Sequence, residues 1–180
     1  MSVTINGNGT ITGYEPVANG SITAAKLASG AITTAALPAG SVIQVVSSEQ
    51  ASDSNNTTQT FSDIGLSANI TPSSASSKIL VTAIVNGVHK TQAQLNQLQL
   101  RLMRDSTSLG EFATEACHSD GHLVHMGIGT GGATSALDSP NTTSQVTYKV
   151  QMRKRLGNTI TTTAQYAGAK SYITLMEIAA

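Results

Sequence analysis

Tryptophan is absent from the 180 residues, and aromatic side chains make up only 3 % of them. A core built around large rings is therefore excluded, and whatever packs inside must be aliphatic. Charge is scarce too: 11 % of residues are Asp, Glu, Lys or Arg, ten of each sign, for a formal net charge of zero. Such a surface has no broad attraction for nucleic acid or for an anionic membrane, so neither is expected as a partner. A single cysteine, Cys117, excludes an intrachain disulfide framework and suits assembly in a reducing cytoplasm. The first nine residues carry neither a basic region nor an apolar stretch, and no later run has the length of a membrane span. The chain reads as a soluble protein without a secretion signal. No G-x-S-x-G elbow occurs, and the ten carboxylates are few for the paired acids that glycoside hydrolysis needs. A non-enzymatic protein is expected, with a carbohydrate-active depolymerase as the weaker rival, and no cofactor is called for.

What the chain has in abundance is Thr (24) and Ser (21), a quarter of all residues. Thr alongside Val and Ile suits the pleated, half-buried surface of a strand. It also has a repeat. Gly20-Ser-Ile-Thr-Ala-Ala-Lys-Leu-Ala-Ser is followed at once by Gly30-Ala-Ile-Thr-Thr-Ala-Ala-Leu-Pro-Ala, and Gly40-Ser-Val opens a third copy. Each ten-residue unit offers only Ile22 and Leu27, or Ile32 and Leu37, as apolar mass. Units so small must bury their stripe against something outside themselves, and identical copies of the chain are the expected partner. Residues 1–40 thus read as an arm and oligomerising stem, with Ile22, Leu27, Ile32 and Leu37 as anchor residues. Before the repeats, Asn6-Gly7-Asn8-Gly9 between Val3/Ile5 and Ile11 allows a tiny hairpin or an extended arm.

From Ser41 onward, strand-length segments alternate with polar turns, the spacing of a sandwich or barrel. Strands are predicted near 41–48, 57–62, 65–71, 78–88, 97–105, 109–117, 122–129, 144–154, 159–167 and 171–178. Leu98, Leu100 and Leu102 alternate with Gln99, Arg101 and Met103; Val146, Tyr148, Val150 and Met152 alternate with Lys149, Gln151 and Arg153. A period of two puts each set on one face, toward a core. Residues 91–104 also fit a helical stripe through Leu95, Leu98 and Leu102, but strand is the preferred reading. The terminal Ile173-Thr-Leu-Met-Glu-Ile reads as a last buried strand.

Only one cluster offers ligand chemistry: Cys117-His118, Asp120, His122 and His125, with Glu111 and Glu115 upstream. On a threefold axis a histidine is presented three times, so His118, His122 and His125 are the candidates for a transition metal. The spacing matches no zinc motif, and Ser-Asp-Gly reads as a turn, so exposed or interface histidines without metal are the expectation. Gly127-Ile-Gly129-Thr-Gly131-Gly132 lacks the following helix that a phosphate cradle needs and reads as a surface loop. The basic run Met152-Arg153-Lys154-Arg155 is divided by alternation between two faces near a strand end. Segments 106–110, 118–121 and 130–143, rich in Gly, Ser, Thr, Asn and Asp, read as rim loops that can offer hydroxyl and amide groups to a receptor. Ser106, Ser119, Asp120, Thr130 and Asn141 represent them.

The head resembles the C-terminal β-domain of tail-fibre and virion structural proteins of tailed phages, marine and cyanobacterial ones especially. The resemblance is carried by Phe61-Ser-Asp-Ile-Gly-Leu-Ser-Ala-Asn-Ile-Thr-Pro-Ser-Ser-Ala-Ser-Ser-Lys-Ile-Leu-Val, Leu98-Gln-Leu-Arg-Leu-Met-Arg-Asp, Leu137-Asp-Ser-Pro-Asn-Thr-Thr-Ser, Thr147-Tyr-Lys-Val-Gln and the terminal Ile173-Thr-Leu-Met-Glu-Ile. Ile22-Thr-Ala-Ala-Lys-Leu-Ala looks like the stem segments that precede such heads. The resemblance implies an all-β protein with a jelly-roll-like antiparallel β-sandwich head over 41–180, homotrimeric and located in the virion. It further implies other virion proteins as partners of the N-terminal segment and a host-surface glycan or protein as partner of the head. Long tail fibres have a lengthy shaft, and only about forty residues precede this head. A short fibre or fibre tip used for host binding is expected, with a capsid or tail decoration protein as the alternative.

Overall fold

The computed structural model describes residues 36–91, 96–119, 125–127, 131–156 and 160–180, together with Thr33 and the pairs 4–5 and 11–12. The chain divides into two compact units, Met1–Leu37 and Pro38–Ala180. In the first, β1 (Thr4–Ile5) and β2 (Ile11–Thr12) pair antiparallel on either side of the Asn-Gly turn sequence. The second unit carries β3 (Val42–Gln50), β4 (Ser54–Asn56), β5 (Ser62–Ile70), β6 (Lys78–Val85), β7 (His89–Thr91), β8 (Asn96–Arg104), β9 (Thr107–Ser119), β10 (His125–Gly127), β11 (Gly132–Asp138), β12 (Val146–Lys154), β13 (Thr162–Ala164) and β14 (Ser171–Ile178). Among the described residues there is no α-helix, only a 3-10 turn at Tyr166–Gly168. The leucine stripe of residues 98–102 therefore belongs to a strand.

The eight long strands form two antiparallel four-stranded sheets, in the orders β11-β6-β14-β3 and β5-β12-β8-β9. Their pairing follows one rule. The first long strand pairs with the last (β3 with β14), the second with the seventh (β5 with β12), the third with the sixth (β6 with β11), and the fourth with the fifth (β8 with β9). At the flanks β3 runs beside β5 and β11 beside β9.

Between the sheets lies one aliphatic core. Ile64, Leu66, Ala68 and Ile70 of β5, Ile79, Val81, Ala83 and Val85 of β6, and Ile173 and Leu175 of β14 are all buried. They meet the two alternating sets read from sequence, Leu98/Leu100/Leu102 and Val146/Tyr148/Val150/Met152. Tyr148, the one fully buried aromatic ring among the described residues, keeps its hydroxyl satisfied by donating to Asp138 at 2.7 Å. A buried tyrosine without such an acceptor would be costly.

Four short strands make a third sheet, β10-β7-β13-β4. Each sits in a connection between long strands at the same pole: β4 after β3, β7 after β6, β10 after β9 and β13 after β12. The other pole holds the connections 71–77, 105–106 and 139–145. The chain also enters and leaves the head there, with Gly40 N–H donating to Ala179 O and Ala179 N–H to Ser41 O.

Three departures from the sequence reading have physical causes. The strand expected over 57–62 is absent; Asn56 instead folds this stretch into turns, its side chain accepting from Thr58 N–H and donating to Thr60 O. The loop expected over 130–143 contains β11, because Gly132 allows a close approach: a Cβ there would stand 2.6 Å from Ala113 Cβ and 2.8 Å from Leu100 Cδ1. Finally, β9 uses 13 residues opposite the 9 of β8. Bulges absorb the difference, and Ala113 (φ 52°) and Cys117 (φ 56°) take the left-handed conformation within it. Bulging an edge strand in this way spoils it as a template for another strand.

Candidate interaction surfaces

Three surfaces of the head can carry function, and the sheet register defines each. The outer face of β11-β6-β14-β3 comes first. Leu137, Leu80, Met176 and Val45 stand abreast, one from each strand. Beside them runs a row of hydroxyls, Ser135, Thr82, Thr174 and Ser47. The next row is Ala133, Ile84, Tyr172 and Glu49. Val42, Val45, Ile84, Leu137 and Tyr172 are exposed, and they are all but one of the large exposed hydrophobic side chains of the described residues. Scattered apolar surface needs no explanation, but concentration on one face does. The rows contain one carboxylate, Glu49, which is held by Lys170 at 3.0 Å. That carboxylate keeps the Lys170 ammonium charged to higher pH than usual.

The opposite outer face, on β5-β12-β8-β9, is polar and internally paired. Arg101 and Arg153 both lie over the Phe61 ring, 4.0 and 4.5 Å from its centroid. Arg101 Nε donates to Gln151 Oε1 at 2.8 Å, and Arg153 Nε to Gln99 Oε1 at 2.7 Å. Lys149 and Gln151 hold Asp63, at 2.9 and 2.6 Å. Partial burial pushes the Asp63 pKa up, but these bonds outweigh it and the net shift is downward. A shallow cleft of about 220 Å³ opens here, lined by Asp63, Gly65, Leu66, Ser67, Thr147 and Lys149. The basic run is divided as expected, with Arg153 and Arg155 outward near Glu111 and Glu115. Lys154, expected at a solvated strand end, is buried instead.

The third surface is the capped pole. Asn56, His89, Lys90, Thr162, Thr163 and Gln165 are polar yet buried there. Thr162 Oγ1 donates to Asn56 O, and Asn56 Nδ2 to Met152 O, tying the cap to the end of β12. His89 stacks on Tyr166 with centroids 4.2 Å apart and planes 11° from parallel. The Cys117 thiol is buried and donates to Val88 O at 2.9 Å.

The residues singled out from sequence fall as follows. Ser106 and Asn141 share the uncapped pole: Arg104 bridges their loops by donating to Asp138 Oδ2 at 2.7 Å and to Ser139 O at 3.2 Å. Ser119 closes β9 at the capped pole. Asp120, Thr130 and His122 lie outside the described residues, as do Ile22, Leu27 and Ile32; Leu37 is half-buried. His118 is in β9 and His125 in β10, on strands of different sheets. Among the described residues no group of three His, Cys, Asp or Glu side chains could hold a metal ion.

Sequence reading missed the apolar outer face and the buried Glu177. The signal for the face was present: Lys78-Ile-Leu-Val-Thr-Ala-Ile-Val and Tyr172-Ile-Thr-Leu-Met are apolar on both faces, as strands covered on both sides are. Glu177 lies inward on β14, where Ser73 N–H and Oγ donate to it at 2.8 and 2.6 Å and Gln44 Nε2 at 2.6 Å. Burial raises its pKa, and these donors outweigh burial, leaving it below the usual glutamate value.

No protein-family model and no curated protein matches the chain. Among solved structures it is similar to the VP2 subviral particle of infectious bursal disease virus, at 14 % identity and a TM-score of 0.40. The match covers 75 % of this chain and 39 % of that one.

Proposed function

We propose that the chain is a virion structural protein of a tailed phage, a homotrimeric short fibre or fibre-tip subunit with a jelly-roll head. The observation that carries this reading is the pairing of the first four long strands with the last four in reverse order. A long hairpin of four strand pairs, rolled until its halves face each other, is the eight-stranded jelly roll found in viral capsid and lectin domains. The apolar outer face supports an assembling protein, since the head's own core does not bury it, and so do the repeats of residues 20–40, whose apolar mass is too small to fold alone.

The polarity of the head supports an appendage. Residues 1–37 join it at the pole where β3 begins and β14 ends. With that segment anchored on other virion proteins, the capped pole is distal and faces the host. Host contact then belongs to the cap. Ser106 and Asn141, at the opposite pole, belong to the base. Three heads on one stem offset weak individual contacts through avidity.

Imaging intact virions with antibody against the chain, together with competition of phage adsorption by the purified full-length protein, tests the proposal. Label at a projecting fibre and competed adsorption support it. Label spread over the capsid with unaffected adsorption would replace it with the decoration reading. Absence of the chain from purified virions would end the virion assignment.

A further inference from the structure

We infer that the outer face of β11-β6-β14-β3 is the surface through which three copies associate around their axis, the Val45 edge of one copy meeting the Leu137 edge of the next. This rests on the homotrimer reading and assigns its contact. Four strands about 4.8 Å apart and eight residues long at about 3.3 Å each make a face of about 500 Å². Five of the six large exposed hydrophobic side chains of the described residues stand on it, and such a concentration marks an interaction site on a soluble protein. It falls short of the roughly 800 Å² per partner of a standard interface, so the flanking edges must join in.

The row structure selects the occupant. The apolar row Leu137–Leu80–Met176–Val45 is most exposed at its ends, 58 % at Leu137 on the edge strand β11 and 57 % at Val45 on the edge strand β3. A ring needs two different complementary edges on one copy, because each copy touches its neighbours head to tail. An apolar side chain at each end of one row supplies them. The hydroxyls of the middle row both donate and accept, so they can satisfy identical hydroxyls brought opposite. The face carries little charge: Glu49 is held by Lys170, and Lys78 stands at its end, opposite Ile178. The net charge of zero leaves copies without mutual repulsion.

The test is the mass in solution of the full chain as wild type, as Val45→Lys/Leu137→Lys, and as Ser108→Lys, a substitution on the exposed part of β9. Lysine is tolerated at sites more than half exposed, and far-UV circular dichroism checks that each variant folds. The expected result is a trimeric wild type and Ser108→Lys, with a double variant that dissociates into folded monomer at concentrations where both of these remain trimeric, since the stem alone holds it less tightly. A double variant whose trimer resists dilution as well as wild type overturns the face assignment, leaves the homotrimer reading intact, and gives the face to another virion protein. A monomeric wild type overturns the homotrimer reading itself. Cysteine pairing provides the second measurement. Val45→Cys with Leu137→Cys should give inter-subunit disulfides that neither single variant gives. Cross-linking by a single variant would mean a twofold contact and refute the head-to-tail ring.

Discussion

Replacing Glu177 by Gln probes the clamp that closes the uncapped pole. The carboxylate accepts from Ser73 through Oε1 and from Gln44 through Oε2. An amide retains only one acceptor. If its oxygen stays on Ser73, its NH₂ faces the Gln44 NH₂, and Gln44 cannot turn over to accept, because the same nitrogen donates to Thr71 O at 2.8 Å. At least one bond to a charged acceptor is lost, about 1.5–3 kcal/mol at neutral pH. For a chain of this size that lowers Tm by about 3–12 °C. The pH dependence has a definite sign. Because the folded pKa lies below the ordinary glutamate value of 4.5, the unfolded state binds more protons in the interval between them. The stabilisation is complete above pH 4.5 and is lost as pH falls through the lower folded value. Urea unfolding of wild type and Glu177→Gln, at equal protein concentration and across pH 7 to 3, measures both effects. The gap should be widest at pH 7 and narrow toward pH 3. Equal stability at pH 7, or a gap constant with pH, would refute the reasoning.

Two further substitutions address the core. Leu100→Asp places a carboxylate at a fully buried position among aliphatic side chains, costing several kcal/mol against a typical total of about 5–15, so circular dichroism should show the head unfolded. Gly132→Val drives a side chain against Ala113 and Leu100, and should cost about 1–3 kcal/mol in chemical denaturation while leaving the strand signal in place.

Strands β8 and β12 were legible in sequence because their inward positions carry Leu, Val, Tyr and Met and their outward positions chiefly Gln, Lys and Arg. Strand β12 shows this plainly, alternating between buried and half-buried along its length. Strand β11 was not legible, since Gly132-Ala-Thr-Ser-Ala has side chains too small to mark a face. Alternation failed on β9 for a different reason: residues with positive φ at Ala113 and Cys117 shift the phase within the strand. Of the short cap strands, β10 and β13 fall inside the predicted segments 122–129 and 159–167, whereas β4 and β7 escaped because three residues cannot display a period. Of the candidate site, residue types pointed to loops and histidines, whereas the apolar face exists only through register. Leu137, Leu80, Met176 and Val45 are distant in sequence and become one row only when four strands align.

The pairing of the first long strand with the last has a mechanical consequence. Tension drawn between a held cap and the N-terminal end of the head pulls β3 along its own axis, away from the cap. Strand β3 is held by β14 in a ladder running from Ser171↔Gln50 to Ile178↔Val42, with its bonds perpendicular to that pull. The load is shear, shared by the whole ladder, not a peeling force that meets one bond at a time. Grip under tension therefore rises with ladder length, and shortening β14 from its Ile178 end would weaken the head under load before it altered any contact at the cap.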